Sequence, residues 1–239
     1  MAGLGGTMTV SASRLTVGDS VYRELLGAIY DGRLEPGQRL NDIALAEELG
    51  ISRTPVREAI QKLRAIGVVE SEPNRFTRVA IVSPDQVRQH VIVWVALMHA
   101  LIDEVAQAVP KSVLRRMETQ HRQFLRNLEE LIAIGPSDEM LGERVEKSRE
   151  IASATFDFFT SLAGLSGNAP LRAALETAQH VIRLGSLSLP DWVDVVELGR
   201  VQARLLGALK AGDPEVSHAA IATLRELVVP GAGAESARA

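Results

Sequence analysis

The chain has 239 residues, 46% of them hydrophobic but only 4% aromatic, with no cysteine and a formal net charge of −4. These values exclude disulfide staples, thiolate chemistry and cysteine-ligated zinc. They also argue against a protein that coats nucleic acid indiscriminately, which would need a strongly basic chain. The length suits two small domains that each bury a core, and the lack of cysteine is compatible with a cytoplasmic location.

Residues 1–14 are rich in Gly, Ser, Thr and Ala and read as a flexible N-terminus. They lack the charged start and apolar core of a secretion signal, and no apolar run in the chain reaches the roughly 18 residues of a membrane span. A helix is expected over 16–30, where Val17, Val21, Leu25 and Ile29 recur in steps of four and Thr16 with Asp19 resembles a capping pair. Gly32 and Pro36-Gly37 end it.

The stretch 41–67 organises the N-terminal half. Asn41 is suited to cap a short helix, Gly50 lets the chain turn, and Ser52 is positioned to cap a second helix with Pro55 in its first turn, where a missing N–H costs nothing. In that second helix Val56, Ala59, Ile60 and Leu63 form one apolar stripe. Arg53, Thr54, Arg57, Gln61 and Arg64 occupy the opposite face, beside Lys62 and Glu58. A solvated amphipathic helix is the plainer reading. A helix, a glycine turn and a second helix with a basic-polar face is also the arrangement that presents one helix to a DNA major groove, where arginine bonds guanine edges or phosphates. Two β-branched runs follow at 68–72 and 78–82, separated by the turn-like 73–77, and read as a wing with Arg75 at its tip.

Residues 15 to 82 resemble the winged helix-turn-helix of the GntR family of bacterial transcription regulators. The resemblance is carried by GRLEPGQRL at 32–40, LAEELGISRTPVREAIQKL at 45–63 and PNR at 73–75. It implies double-stranded DNA as partner, with Ser52, Arg53, Thr54, Pro55, Arg57, Gln61, Arg64, Asn74 and Arg75 at the interface. Phe76 stands where the family's wing continues with glycine, and Ile43 stands where the fatty-acid-responsive member has a DNA-touching arginine.

Beyond Ser83-Pro84-Asp85, a boundary where proline cannot continue a strand ladder, helical patterns are expected at 85–108, 111–134, 138–163, 170–187, 192–211 and 214–229. The breaks fall at Pro110, Gly135-Pro136-Ser137, Gly167-Asn168, Pro190 and Gly212-Asp213, and residues 230–239 read as a disordered tail. The fold class is therefore mainly α: a winged helix-turn-helix over 15–82, then an all-α antiparallel bundle over 83–229. A helical enzyme fused to a DNA-binding module is the alternative from another class. No clustered acid/base pair or phosphate loop supports it, and GLSG at 164–167 lacks nucleophile-elbow spacing.

The bundle resembles the helical effector-binding and dimerisation (FCD) domain of FadR-type GntR regulators, through FFTSLAGLSGNAPL at 158–171 and LLGALKAGDPEVSHAA at 205–220. Many members hold a divalent metal through one Asp and three His. The corresponding positions here are Thr155, Phe159, Gln202 and Leu224, so no metal is expected, and His90, His99, His121, His180 and His218 do not supply a substitute. Where the family has Arg and Glu four apart, this chain has Trp94 and Met98. Trp94, Met98, Thr155 and Phe159, with His180, Arg183 and Gln202 as polar contacts, are the candidates for a hydrophobic effector pocket; plain core is the simpler reading. The expected protein is a homodimeric, ligand-responsive repressor on a palindromic operator, or a constitutive regulator whose bundle only dimerises.

Overall fold

The computed structural model describes residues 16–73, 75–135, 140–186 and 193–227. The expected flexible N-terminus and disordered tail, Asn74, Asp138 and Trp192 lie outside the described residues.

Among the described residues the chain forms nine helices and one two-stranded hairpin. Helix α1 (Val17–Tyr30) starts with a complete capping box between Thr16 and Asp19 and buries Val21, Leu25 and Ile29. Val17, at its first position, stays exposed at 57% instead of joining that stripe. Helices α2 (Asp42–Glu48) and α3 (Arg53–Ala65) form the helix-turn-helix. Asn41 Oδ1 accepts from the backbone N–H groups of Ile43 and Ala44. Gly50 takes φ +65° in the turn, a conformation costly for any residue with a Cβ. α3 packs its fully buried Val56, Ala59 and Leu63 against α1.

The wing pairs β1 (Val69–Glu72) with β2 (Phe76–Val79) in an antiparallel register that sets Glu72 opposite Phe76 and Val69 opposite Val79. The second strand thus begins two residues earlier than expected and stops before Ala80. The reason lies in the segment before α2. Val79 N–H donates to Gln38 O, while Gly37 and Leu40 N–H donate to Val79 and Thr77 carbonyls, so residues 37–40 lie along β2 as a third, short extended piece. A partner 40 residues upstream decides where β2 lies.

The rest is the bundle: α4 (Pro84–Val105), α5 (Lys111–Ile134), α6 (Leu141–Ala163), α7 (Ala169–Ser186), α8 (Val195–Ala211) and α9 (Pro214–Thr223). Ser83 and Gln86 form the capping box that opens α4. Asp194 and Asp213 cap α8 and α9 through their side chains. α9 ends at Thr223 rather than near 229, because 224–226 turn. α5 packs on α6 and α8, α4 packs on α7 and α9, and α7 also touches α1. No described helix is long and apolar enough to cross a membrane.

Candidate nucleic-acid interface and bundle cavity

α3 exposes Arg53, Thr54, Arg57, Gln61 and Arg64 on the side away from its buried stripe, because residues three and four apart share a helical face. Ser52 takes the extended N-cap conformation (φ −71°, ψ 160°), but its hydroxyl makes no cap hydrogen bond among the described residues. The backbone alone starts this helix, leaving that hydroxyl on the surface beside Arg53 and Thr54. Pro55 sits in the first turn, half-buried.

The face is not an array of loose cations. Arg53 Nη2 donates to Asp42 Oδ2 at 3.0 Å, and Arg57 Nε lies 3.5 Å from the same oxygen. Lys62, counted in sequence among the basic residues of this helix, turns the other way and donates to Asp19 Oδ1 at 2.5 Å. That bond, with those from Thr16, holds the Asp19 carboxyl at about 2, below the usual carboxylate range. At the wing, Arg75 pairs with Glu72 at 2.6 Å and stays largely exposed. Phe76 is covered by Arg78, whose guanidinium carbon stands 4.5 Å from the ring centroid, while Arg78 Nε pairs with Glu70 at 2.5 Å. The aromatic ring in the glycine's place is thus folded onto the hairpin.

Inside the bundle lies a cavity of about 170 Å³. Trp94, Thr155 and Phe159 are on its wall, with Ile151, Phe156 and Leu224. Trp94 and Phe159 meet edge to face at 4.9 Å, and the buried indole N–H of Trp94 has no acceptor among the described residues. Gln202, fully buried, stands behind Thr155: its Nε2 donates to Thr155 Oγ1 at 3.3 Å, and its Oε1 faces His121 Nδ1 at 3.1 Å. Met98 is fully buried core and does not line the cavity.

His180 and Arg183 also lie off the cavity wall, because α7 turns them toward α1. The Tyr30 hydroxyl donates to His180 Nδ1, and the Arg183 guanidinium carbon lies 4.0 Å from the centre of the Tyr30 ring. Burial, then the Arg183 charge, lowers His180 to about 4, so it is neutral and free to accept. Burial raises the Tyr30 hydroxyl well above its ordinary value, keeping the donor protonated. Arg183 also donates to Ser153 Oγ at 3.2 Å and lies 5.6 Å from the Phe156 ring.

Sequence reasoning missed three of these features: Asp42, which shares one carboxylate between Arg53 and Arg57; Tyr30; and the pairing of His99 with His218. The last two rings approach at 2.7 Å through their Nδ1 atoms, with Asp103 on His218 Nε2 at 2.9 Å. Among the described residues no three His, Asp or Glu side chains converge as a metal site.

Residues 18–79 match the family described as "Bacterial regulatory proteins, gntR family". A relative from Paenarthrobacter nicotinovorans, named "Probable D-xylose utilization operon transcriptional repressor", is 27% identical over 210 residues, covering 87% of this chain and 85% of its own. The HTH-type transcriptional repressor RspR of Escherichia coli K12 is 29% identical over 102 residues, 43% of this chain and 45% of its own. Among solved structures, E. coli McbR/YncC superposes with a TM-score of 0.68 at 22% identity, covering 89% of this chain and 95% of that one. A GntR structure from Rhodococcus sp. RHA1 reaches 0.67 at 22% identity, covering 87% and 93%. These two likenesses concern the fold.

Proposed function

We propose that the chain, whose residues 18–79 match the GntR family of bacterial regulatory proteins, acts as an effector-responsive repressor, binding a palindromic operator as a homodimer. In this reading residues 15–82 are the DNA-binding unit and residues 83–229 an FCD-type effector and dimerisation unit. The observation that carries it is the exposed Arg53, Thr54, Arg57, Gln61, Arg64 face over a buried aliphatic stripe on a single helix. Arg53, Thr54 and Arg57 would meet base edges at the groove floor, Ser52, Gln61 and Arg64 the flanking phosphates, and Arg75 with Asn74 the backbone beside the wing.

A second copy of the chain is supported by α4. Val93, Ala96 and Ala100 are exposed and Leu97 half-exposed, in an i, i+3, i+4, i+7 stripe, with exposed Ile92 beside it. Such an apolar stripe pairs naturally with its own copy about a two-fold axis, which matches the symmetry of a palindrome. Effector control is supported by the route from cavity to winged domain: Phe156 lines the cavity, Arg183 rests on Phe156 and on Tyr30, and Tyr30 ends α1. A ligand that moved Phe156 would act on α1 through two contacts, shifting the placement of α3.

The test is in vitro selection from a random duplex library with the full chain. The expected consensus is an inverted repeat, bound with an affinity that falls steeply with salt. Failure to enrich any sequence, or enrichment that survives Arg57→Ala unchanged, would remove the basis for the proposal.

A further inference from the structure

We infer that the bundle cavity accepts a small, uncharged, largely apolar molecule, and that the residues described there do not fit the metal ion characteristic of FCD domains. The inference rests on the reading of the cavity as an effector site and names its ligand class.

The donor set comes first. Of the four positions that correspond to the family's metal ligands, Thr155, Phe159 and Leu224 lie on the cavity wall and Gln202 directly behind Thr155. Phe159 and Leu224 offer only carbon. Thr155 Oγ1 donates to Ile151 O at 2.9 Å and accepts from Gln202, whose other amide atom faces His121. The hydroxyl and the amide carry no charge, and they already satisfy one another. A divalent cation needs several convergent N, O or S donors, usually including carboxylate or imidazole, and the site offers one hydroxyl and one amide in their place.

The wall excludes anions as well. Among the described residues no Arg, Lys, His, Asp or Glu lines it; the polar groups there are the hydroxyls of Ser148, Thr155 and Ser186 and the indole of Trp94. A carboxylate or phosphate would lose its hydration with no counter-charge to replace it, a cost that ordinary packing cannot offset. Size narrows the class further. An apolar protein cavity of about 150 Å³ stays dry and takes benzene. At about 170 Å³ this one suits a single ring or a short aliphatic chain. A long acyl chain or an acyl-CoA exceeds that volume.

The experiment uses the full chain carrying Trp192→Phe, so that Trp94 is the sole tryptophan reporter. The probes are toluene and benzyl alcohol as neutral ligands, benzoate as an anion of matched size, octanoyl-CoA, and Zn²⁺ and Mn²⁺ alone. Toluene or benzyl alcohol should change Trp94 emission and raise the melting temperature, with benzoate at least tenfold weaker and octanoyl-CoA without effect. EDTA should leave the melting temperature unchanged, and elemental analysis of protein loaded with either metal and then desalted should find no stoichiometric ion. Ala152→Leu, which fills the cavity from its wall, should abolish the toluene response; Ser148→Leu is the second filling variant if the first does not fold. One bound metal per chain with melting lowered by EDTA, benzoate binding more tightly than toluene, or no response to either neutral probe would each overturn the inference. Binding to the selected duplex is measured on the same preparation, so a wrong ligand class and a wrong reading of the chain as a DNA-binding regulator give different results.

Discussion

Asp42, the first residue of α2, holds Arg53, the first residue of α3, at 3.0 Å across the helix-turn-helix. The same oxygen lies 3.5 Å from Arg57. One carboxylate therefore orders the two cations proposed to read base edges, while adding a negative charge that phosphates would repel. Asp42→Ala should raise affinity for random duplex a few-fold and lower the specific-to-random ratio by about tenfold, near 1.4 kcal/mol. Fold stability should change by less than about 1 kcal/mol, as for other exposed pairs. Competition binding with random duplex measures both; a ratio that rises would show the pair to be a hindrance rather than an aid.

Arg57, Arg75 and Lys62 should separate into different classes. Arg57→Ala is expected to cost about 1 to 3 kcal/mol at the operator while relaxing sequence preference. Arg75→Ala should weaken all sequences alike and reduce the salt slope by about 1. Lys62, occupied by Asp19, should leave the slope unchanged on conversion to Ala. Salt titrations of the three variants check this, and a Lys62→Ala slope like that of Arg75→Ala would mean the Asp19 pair opens on DNA.

Acid should loosen the junction between α1 and α7. His180 is lowered from the ordinary 6.5 to about 4, so the unfolded chain binds the proton more readily than the folded one between those values. Its contribution to stability is thus full above about pH 6.5 and falls as pH drops toward 4. At about 1.4 kcal/mol per tenfold change in proton affinity, the loss is at most roughly 3 kcal/mol. The groups facing the ring are Tyr30 from α1 and Arg183 from its own helix, with Asp157 of α6 interacting with Arg183. His180→Asn keeps an acceptor for Tyr30 and should flatten the stability curve from pH 6.5 to 4; an unchanged curve assigns the slope elsewhere.

Gly185 on α7 is a packing requirement. A Cβ there would collide with the side chain of Val87 on α4. Valine in a helix is stiff at χ1 and cannot swing aside. Gly185→Ala should therefore destabilise by about 1 to 3 kcal/mol, despite the helix propensity it gains. The pair Gly185→Ala with Val87→Ala should recover part of the loss. Urea denaturation of the three variants decides it.

The stripe on α4 gives the remaining prediction. Val93→Asp should convert a dimer into a monomer in sedimentation velocity and weaken operator binding about a hundredfold through lost bivalency. A dimer that persists places the two-fold axis on another face.

Much of the winged helix-turn-helix was legible without coordinates, because what marks it is local. The Thr16–Asp19 capping box spans three residues, and the division of α3 into a buried and an exposed face follows from 3.6 residues per turn. The absence of charge at Thr155, Phe159 and Leu224 was readable in the same way, as residue chemistry. Tertiary structure alone decided which groups meet. Arg53 finds Asp42 eleven residues away, Lys62 finds Asp19 across 43, and Tyr30 finds His180 across 150. Those distances depend on the placement of one helix against another. That placement comes from the summed burial of many apolar side chains, so no local pattern in the chain records which polar group will stand opposite which. For the same reason His180 and Arg183, plausible as pocket residues on their helix, belong to the contact with α1.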